Sequence, residues 1–311
     1  MCVVWGTTYL AIRIALESIP PALVGGLRFS VAGAVLALVL WLRGTPLPDR
    51  RSWPALLLLG TLMIAVGNGF VVWAEQWVPS GIAAVVIASS PFWMATTEAI
   101  IPGGERFSRR TLIGMSIGFT GIVLLVWPEL TAGGEFGRQF AFGMIALQLA
   151  EIGWSLGTSY SKRQTRTGDA IAASALQMFF GGMVMLVVAT GRGEWAMLSF
   201  TPRSLAAELY LIVFGSFAGY SAYIYALKYL PVSTVSLYAY VNPIIAVLLG
   251  TLLLAEPFGG RIVIASALVL VGIAVVRTKG REVEPGSRNS EGHAPPSSRF
   301  RVPGVTRLFG R

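Results

Sequence analysis

The sequence predicts an all-α polytopic membrane protein with ten transmembrane helices, arranged as two inverted five-helix repeats. First, hydrophobic residues make up 54% of the 311 residues and charged residues only 13%, which is about half the charged fraction of soluble domains. Second, the apolar residues are concentrated in blocks of roughly 15–23 residues, which is long enough to cross a bilayer as a helix. Third, one long segment of the chain occurs twice.

The apolar blocks follow one another along the chain and are separated by short polar loops. They cover residues 1–16, 22–42, 53–73, 81–101, 111–127, 140–160, 170–190, 205–226, 232–254 and 259–276. The 36 glycines and 17 prolines are compatible with spanning helices, because neighbouring helices satisfy the backbone groups that these residues free. Met1 already lies inside the first block, which is short on its leading side, so we expect the start to be truncated or misassigned.

The duplicated segment reads WAEQWVPSGIAAVVIASSPF at residues 73–92 and YALKYLPVSTVSLYAYVNPI at residues 225–244. At this offset two prolines coincide in each copy: Pro79 with Pro231, and Pro91 with Pro243. The first halves match at a slightly different offset, with Trp5 on Trp154, Arg28 on Gln177 and Gly33 on Gly182. Because each repeat has an odd number of spans, the second repeat enters the membrane from the opposite side, which is the symmetry that supports alternating access.

Loop charge orients the predicted spans. Of the 24 lysines and arginines, the loops on one side hold only Arg138, Arg192, Arg203 and Arg261, whereas the opposite loops and the tail carry most of the others. The positive-inside rule therefore predicts that both termini are cytoplasmic. The tail, residues 279–311, is rich in Pro, Gly, Ser and basic residues and is expected to be disordered. Because the basic residues are spread over separate loops, a nucleic-acid partner is not expected.

Ionisable and polar residues inside the spans are candidates for a binding site, because they are costly in a bilayer. Glu151 lies near the middle of the sixth span and is either a proton-coupling carboxylate, a partner for a cationic substrate or a structural hydrogen-bonding group. Arg28 either snorkels outward or forms an inward-facing pair with its repeat mate Gln177. Asn68, between two glycines in the third span, is a further candidate for the cavity.

Aromatic and proline residues supply the other candidates. Aromatic rings deep in the spans are suited to stacking on an aromatic or cationic substrate, and these are Trp5, Tyr9, Trp93, Tyr238 and Tyr240. Pro91 and Pro243 are expected to kink the fourth and ninth spans and are hinge candidates. The carbonyls that these prolines free either contact a substrate or are satisfied locally by residues such as Ser90 and Asn242, and Asn242 also counts as a cavity candidate.

Glycines at helical spacing, Gly114-x-x-x-Gly118 and Gly215-x-x-x-Gly219, allow helices to approach closely. They are explained either by packing within the chain or by contacts in a dimer. Packing within the chain is favoured because both repeats are present in one molecule, so we expect a functional monomer.

The sequence lacks the residues that several functional classes require. The phosphate-binding loop of an ATP-driven transporter is missing. The spans contain no histidine and no paired acidic motif, and the chain has a single cysteine, so we expect no enzyme, no metal site and no cofactor. A channel or a receptor for a small molecule stays open as an alternative to a transporter.

Three stretches carry a resemblance to a known family: WGTTYLAIRIALESIPPALVGGLRF at 5–29, NGFVVWAEQWVPSGIAAVVIASSPFWMA at 68–95, and W-S-L-G at 154–157 followed by Lys162-Arg163. They resemble the EamA-type drug/metabolite transporter superfamily, and in particular its bacterial exporters. The resemblance implies two EamA repeats, at 1–128 and 140–278, in the inner membrane. It also implies secondary transport, often export, of small metabolites, amino acids or amphipathic drugs, with protons as a candidate coupling ion.

Overall fold

The computed structural model describes residues 2–101, 108–163, 169–230, 235, 238–256 and 258–277. Within these residues the regular structure is helical. The main helices, in chain order, are α1 (Cys2–Ala15), α2 (Pro21–Leu42), α3 (Arg50–Ala74), α4 (Ser80–Ile100), α5 (Arg109–Thr131), α6 (Gly134–Arg163), α7 (Ala170–Gly191), α8 (Pro202–Tyr229), α9 (Tyr238–Leu254) and α10 (Gly260–Arg277). A short 3-10 helix, Glu194–Met197, lies between α7 and α8.

Seven of these helices, α2 to α8, are long and apolar enough to cross a membrane. The apolar parts of α1, α9 and α10 are shorter, at 10–17 residues. The structure therefore agrees with a polytopic helical membrane protein, while ten spans and their inverted arrangement stay predictions. The predicted disordered tail, residues 279–311, lies outside the described residues.

Three helices depart from regular α geometry. Helix α3 widens into π-helical turns over Gly60–Asn68, and α8 does so over Leu211–Tyr220. Helix α4 is interrupted after Ile87 and resumes at Ser90, with Pro91 in the first turn of its second half. Helix α9, by contrast, is continuous from Tyr238 to Leu254 with Pro243 inside it. Only the first of the two predicted proline hinges therefore lies at a helix break.

Helix pairing follows the order of the two predicted repeats. The most extensive contacts join α2 to α7 and α5 to α10. Further contacts join α1 to α9 and α8, and join α6 to α4 and α3. If α1 to α5 are exchanged with α6 to α10 in order, so that α1 takes the place of α6 and α6 that of α1, the same set of helix pairs results.

Glycines make the closest of these contacts. A Cβ added to Gly114 in α5 would lie 2.6 Å from the carbonyl oxygen of Gly272 in α10, and one added to Gly272 would lie 2.5 Å from that of Gly114. Two helices that approach with this spacing have no room for a side chain between their backbones. In α8, a Cβ at Gly219 would lie 2.5 Å from the Trp5 indole. Both predicted glycine motifs are therefore used inside the chain.

Polar contacts join the helix ends on opposite sides of the bundle. At the end that we term the Glu256 end, the Glu256 carboxylate accepts hydrogen bonds from the backbone N–H groups of Ser80 (2.8 Å) and Gly81 (3.0 Å), which begin α4. A carboxylate at this position is favoured by the partial positive charge of the helix N-terminus. At the other end, the Arg163 end, Arg163 forms a two-point ion pair with Glu98 at 2.9 and 2.6 Å.

Candidate functional site

A cavity of about 70 Å³ lies among helices of both halves of the chain. Helices α1, α2, α3, α4, α6 and α9 contribute its lining, which is Trp5, Thr8, Tyr9, Ile12, Arg28, Gly67, Asn68, Val71, Ile87, Ser90, Ala150, Glu151, Trp154, Tyr238 and Asn242. The lining is mainly apolar and aromatic, with a few polar groups. This is the usual composition of a small-molecule site.

Glu151 is the acidic residue of the cavity. Its side chain is 2% exposed, and its Oε1 lies 2.8 Å from the Ser90 hydroxyl oxygen. The other oxygen, Oε2, is buried without a hydrogen-bond partner among the described residues. A buried carboxylate needs either a bound cation or a proton to offset the loss of hydration.

Arg28 is the basic residue of the cavity and is also 2% exposed. Its Nε donates a hydrogen bond to the Ser216 hydroxyl (2.7 Å), and its guanidinium lies 4.5 Å from the centre of the Phe29 ring. Its Nη1 is buried and, within the part of the chain that the structure describes, has no acceptor. Gly215 leaves room for the guanidinium, since a Cβ there would lie 2.8 Å from Nη2.

Three aromatic rings, those of Trp5, Trp154 and Tyr238, line the cavity, and Tyr223, in the part of α8 towards the Arg163 end, packs against them. The Trp5 ring lies 5.6 Å from Trp154, 5.2 Å from Tyr223 and 5.0 Å from Tyr238. The rings of Trp154 and Tyr223 are 4.9 Å apart. Edge-to-face and tilted contacts at these distances fix ring orientation. We call this group, Trp5, Trp154, Tyr223 and Tyr238, the aromatic floor.

Ser90 connects the break in α4 to the acidic residue. Pro91 removes the N–H that would bond the Ile87 carbonyl, and the Ser90 hydroxyl lies 2.6 Å from that carbonyl. At Pro91, the geometry therefore fits the alternative in which the neighbouring Ser90 donates a hydrogen bond to the carbonyl that the proline leaves free.

The structure brings most of the predicted site residues together. The predicted residues that line the cavity are Trp5, Tyr9, Arg28, Asn68, Glu151, Tyr238 and Asn242. Trp93 is half-buried outside the cavity, where its indole N–H donates to Gln148 (3.1 Å). Gln177 is fully buried but does not line the cavity, and it accepts a hydrogen bond from Tyr220 (2.8 Å). The side chain of Tyr240 lies outside the described residues.

Comparison with known proteins identifies the family. Residues 1–127 and 141–278 each match the sequence profile of the EamA-like transporter family. The chain belongs to the EamA-like transporter family. It is 36% identical over 278 residues to an uncharacterized inner membrane transporter, YedA, of Escherichia coli strain K12, covering 87% of this chain and 88% of that protein. It is also 26% identical over 285 residues to an uncharacterized transporter of Archaeoglobus fulgidus, covering 88% and 95% of the two chains.

A solved crystal structure supports the fold of this EamA-family chain. It superposes with a TM-score of 0.64 at 22% identity and covers 89% of this chain and 93% of the other. At this identity the similarity concerns the fold alone.

Residues that the sequence analysis did not select also belong to the EamA cavity or lie beside it. Trp154 could have been selected, because it is the repeat mate of Trp5 and contacts that ring. Ser90 was considered only as a local partner for a carbonyl. Glu208, in α8, is an acidic residue inside a span and is 3% exposed, so the rule that selected Glu151 should have selected it too.

Proposed function

We propose that this chain is a secondary active transporter of the inner membrane that exports small zwitterionic metabolites with an apolar body, such as amino acids, by alternating access. One observation carries the proposal. Two buried side chains of opposite charge, Arg28 and Glu151, face the same cavity, and each has an atom that no described residue satisfies. Membership of a transporter family supplies the class of activity.

The charges match the two ends of such a ligand. An arginine N–H donates a charge-assisted hydrogen bond to a carboxylate. A carboxylate without a cationic partner pairs with an ammonium group. The aromatic floor and Tyr9 offer ring faces and edges to the apolar body between the two charged ends.

The geometry around Ser90 supports proton coupling at Glu151. The Ser90 hydroxyl lies within hydrogen-bond distance of both the Ile87 carbonyl and Glu151, but a hydroxyl has only one hydrogen to donate. Both contacts are hydrogen bonds when Glu151 carries a proton and donates it to Ser90, while Ser90 donates to Ile87. A ligand ammonium that pairs with Glu151 then displaces this proton, which gives proton–substrate exchange.

Alternating access is supported by the two-fold pattern of helix contacts and by the two matched EamA segments. With the orientation indicated by loop charge, the Glu256 end faces outward and the Arg163 end faces the cytoplasm. The aromatic floor then separates the cavity from the cytoplasmic side. The break in α4 next to Ser90 offers a hinge at the depth of the cavity.

Binding of matched probes to the purified protein tests the proposal. L-Phenylalanine carries both charges, phenethylamine lacks the carboxylate, and hydrocinnamate lacks the amine. We expect all three to raise the thermal unfolding temperature of the wild type. Arg28→Gln should weaken hydrocinnamate binding, and Glu151→Gln should weaken phenethylamine binding, each by about tenfold to a hundredfold, because a hydrogen bond to a charged group contributes about 1.5–3 kcal/mol.

The control is Glu135→Gln, which changes an exposed carboxylate far from the cavity lining and should leave all three affinities unchanged. Arg28→Gln should also keep its affinity for phenethylamine, and Glu151→Gln should keep its affinity for hydrocinnamate. The proposal is wrong if none of the probes stabilises the wild type, or if both cavity variants bind all three probes as the wild type does.

A further inference from the structure

We infer that Glu208 is the exchangeable counter-ion of Arg28: it balances the guanidinium when the cavity is empty, and it takes up a proton from solution when an anionic group of a ligand engages Arg28. The inference rests on the proposed function, because it requires a ligand anion in the cavity. It assigns a role to a carboxylate that does not line the cavity.

Glu208 is buried in the part of α8 that contacts α1 and α2. Its side chain is 3% exposed, and neither carboxylate oxygen has a hydrogen-bond partner among the residues described. The Arg28 charge is the one that acts on it. An ionised carboxylate in such surroundings is stable only while a positive charge stays close.

The Arg28 guanidinium can interact with groups on two sides, α8 and the cavity. Its Nε is held by Ser216 on α8, the helix that carries Glu208. Its Nη1 is free of acceptors in the described structure and the residue lines the cavity. A ligand carboxylate that binds Nη1 neutralises the guanidinium, and the electrostatic stabilisation of ionised Glu208 falls at the same moment. Glu208 then becomes neutral by accepting a proton.

Other charged groups near this pair include a further buried carboxylate and ion pairs at the Glu256 end. Glu75, in the turn after α3, is fully buried. Burial raises the pKa of Glu75 well above its usual value, while the Arg13 charge opposes this rise. The Arg28 charge opposes it as well, so the experiments below include a Glu75 variant to distinguish the two carboxylates. Two ion pairs lie beside the start of α8 at the Glu256 end: Arg203 with Glu17 (3.4 Å), and Arg192 with Glu194 (3.1 Å). At the other end of α8, Lys162 donates a hydrogen bond to the Leu227 carbonyl (2.9 Å).

The exchange has a defined proton balance. Binding of an anionic group at Arg28 adds one negative charge to the cavity, and protonation of Glu208 removes one from its neighbourhood. One proton leaves solution for each anionic group that binds. Binding of an anionic group therefore takes up a proton at Glu208, whereas binding of an ammonium group releases a proton from Glu151. The charge of the probe therefore distinguishes the two carboxylates.

Infrared spectroscopy of the ligand-free protein tests the counter-ion relation without any substrate. Protonated carboxyl groups have a C=O band that ionised carboxylates lack. We expect Arg28→Gln at pH 7 to show one more protonated carboxyl than the wild type, and the double variant R28Q/E208Q to lose it. Arg28→Lys keeps the charge and should add no band. In the R28Q/E75Q variant the additional band should remain.

A second measurement uses hydrocinnamate as the anionic probe in weakly buffered solution with a pH-indicator dye. The wild type should take up about one proton per bound hydrocinnamate, whereas Glu208→Gln should bind the probe with no proton uptake. Thermal unfolding checks folding. The double variant R28Q/E208Q should unfold at a higher temperature than R28Q alone, because it does not have to protonate on folding a carboxyl that is ionised in the unfolded chain at pH 7.

The outcomes separate this inference from the proposed function. If Arg28→Gln adds no carboxyl band, or if the band survives Glu208→Gln, Glu208 is not the counter-ion, whatever the protein transports. If hydrocinnamate binds the wild type with no proton uptake, the exchange is also contradicted, although the cavity binds anions. If hydrocinnamate does not bind at all but the infrared result holds, the counter-ion pair stands, and both the proposed ligand site and the exchange that depends on it are wrong.

Discussion

Glu151 and Ser90 illustrate how a single hydrogen can determine the chemistry of a buried site. Ser90 lies between a carbonyl that Pro91 leaves without a donor and a carboxylate that has no basic partner among the described residues. If Glu151 were ionised and the cavity empty, one of the two acceptors would be left without its hydrogen bond, at a cost of about 1–3 kcal/mol. Protonation of Glu151 satisfies both.

This arrangement predicts a pH dependence for cation binding. A cationic ligand that replaces the proton of Glu151 must bind more tightly as pH rises, by up to tenfold per pH unit, until Glu151 is ionised in the free protein. We therefore expect phenethylamine affinity, measured by calorimetry, to increase with pH in the wild type. Glu151→Gln should bind weakly and with no pH dependence. An affinity that is constant over the same range in the wild type would contradict the proton exchange.

At the residue scale, the sequence could select charged residues inside the spans, but not which of the buried polar residues face the cavity. Burial cost in a bilayer was enough to select Glu151 and Arg28. It did not distinguish Gln177, which is equally buried but bonded to Tyr220 instead of facing the cavity. That distinction depends on rotation of each helix about its axis, and helices that are apolar on most faces give no periodic signal for it.

At the element scale, glycines bring α5 and α10, one helix from each half of the chain, into close contact. Their backbones approach at Gly114 and Gly272, where each added Cβ would meet a carbonyl oxygen of the other helix. The sequence predicted close approach from the glycine spacing, but it did not identify the partner helix. The proline pair shows a similar limit, because Pro91 lies at a break in α4 and Pro243 lies within a continuous α9.

Gly114→Ala should therefore destabilise the protein, because the new methyl group lies 2.6 Å from both the Gly272 carbonyl oxygen and Val276 Cγ2. Overpacking of this kind costs about 1–3 kcal/mol, so the thermal unfolding temperature of the detergent-solubilised protein should fall. The matched control is Gly191→Ala at the end of α7, where an added Cβ meets no described atom within 4 Å. Equal unfolding temperatures for the two variants would show that α5 and α10 are not in this close contact.

At the scale of the whole molecule, composition and block length predicted a polytopic helical membrane protein, and the structure and the family comparison agree with it. The cavity volume and the aromatic floor were not predictable, because they depend on how helices from both halves pack together. Orientation in the membrane, the direction of transport and the identity of the ligand stay predictions from loop charge, symmetry and cavity chemistry.

The central claim is that this chain exports a small zwitterion that Arg28 and Glu151 hold in the cavity. The most direct test compares intracellular and extracellular metabolite pools in cells that lack the gene and in cells that express the wild type, Arg28→Gln or Glu151→Gln at equal membrane abundance. We expect the wild type to lower the intracellular pool and raise the extracellular pool of at least one small zwitterionic metabolite, and both variants to lose this effect. The claim is contradicted if the wild type shifts no small-molecule pool, or if both variants shift the same pools as the wild type.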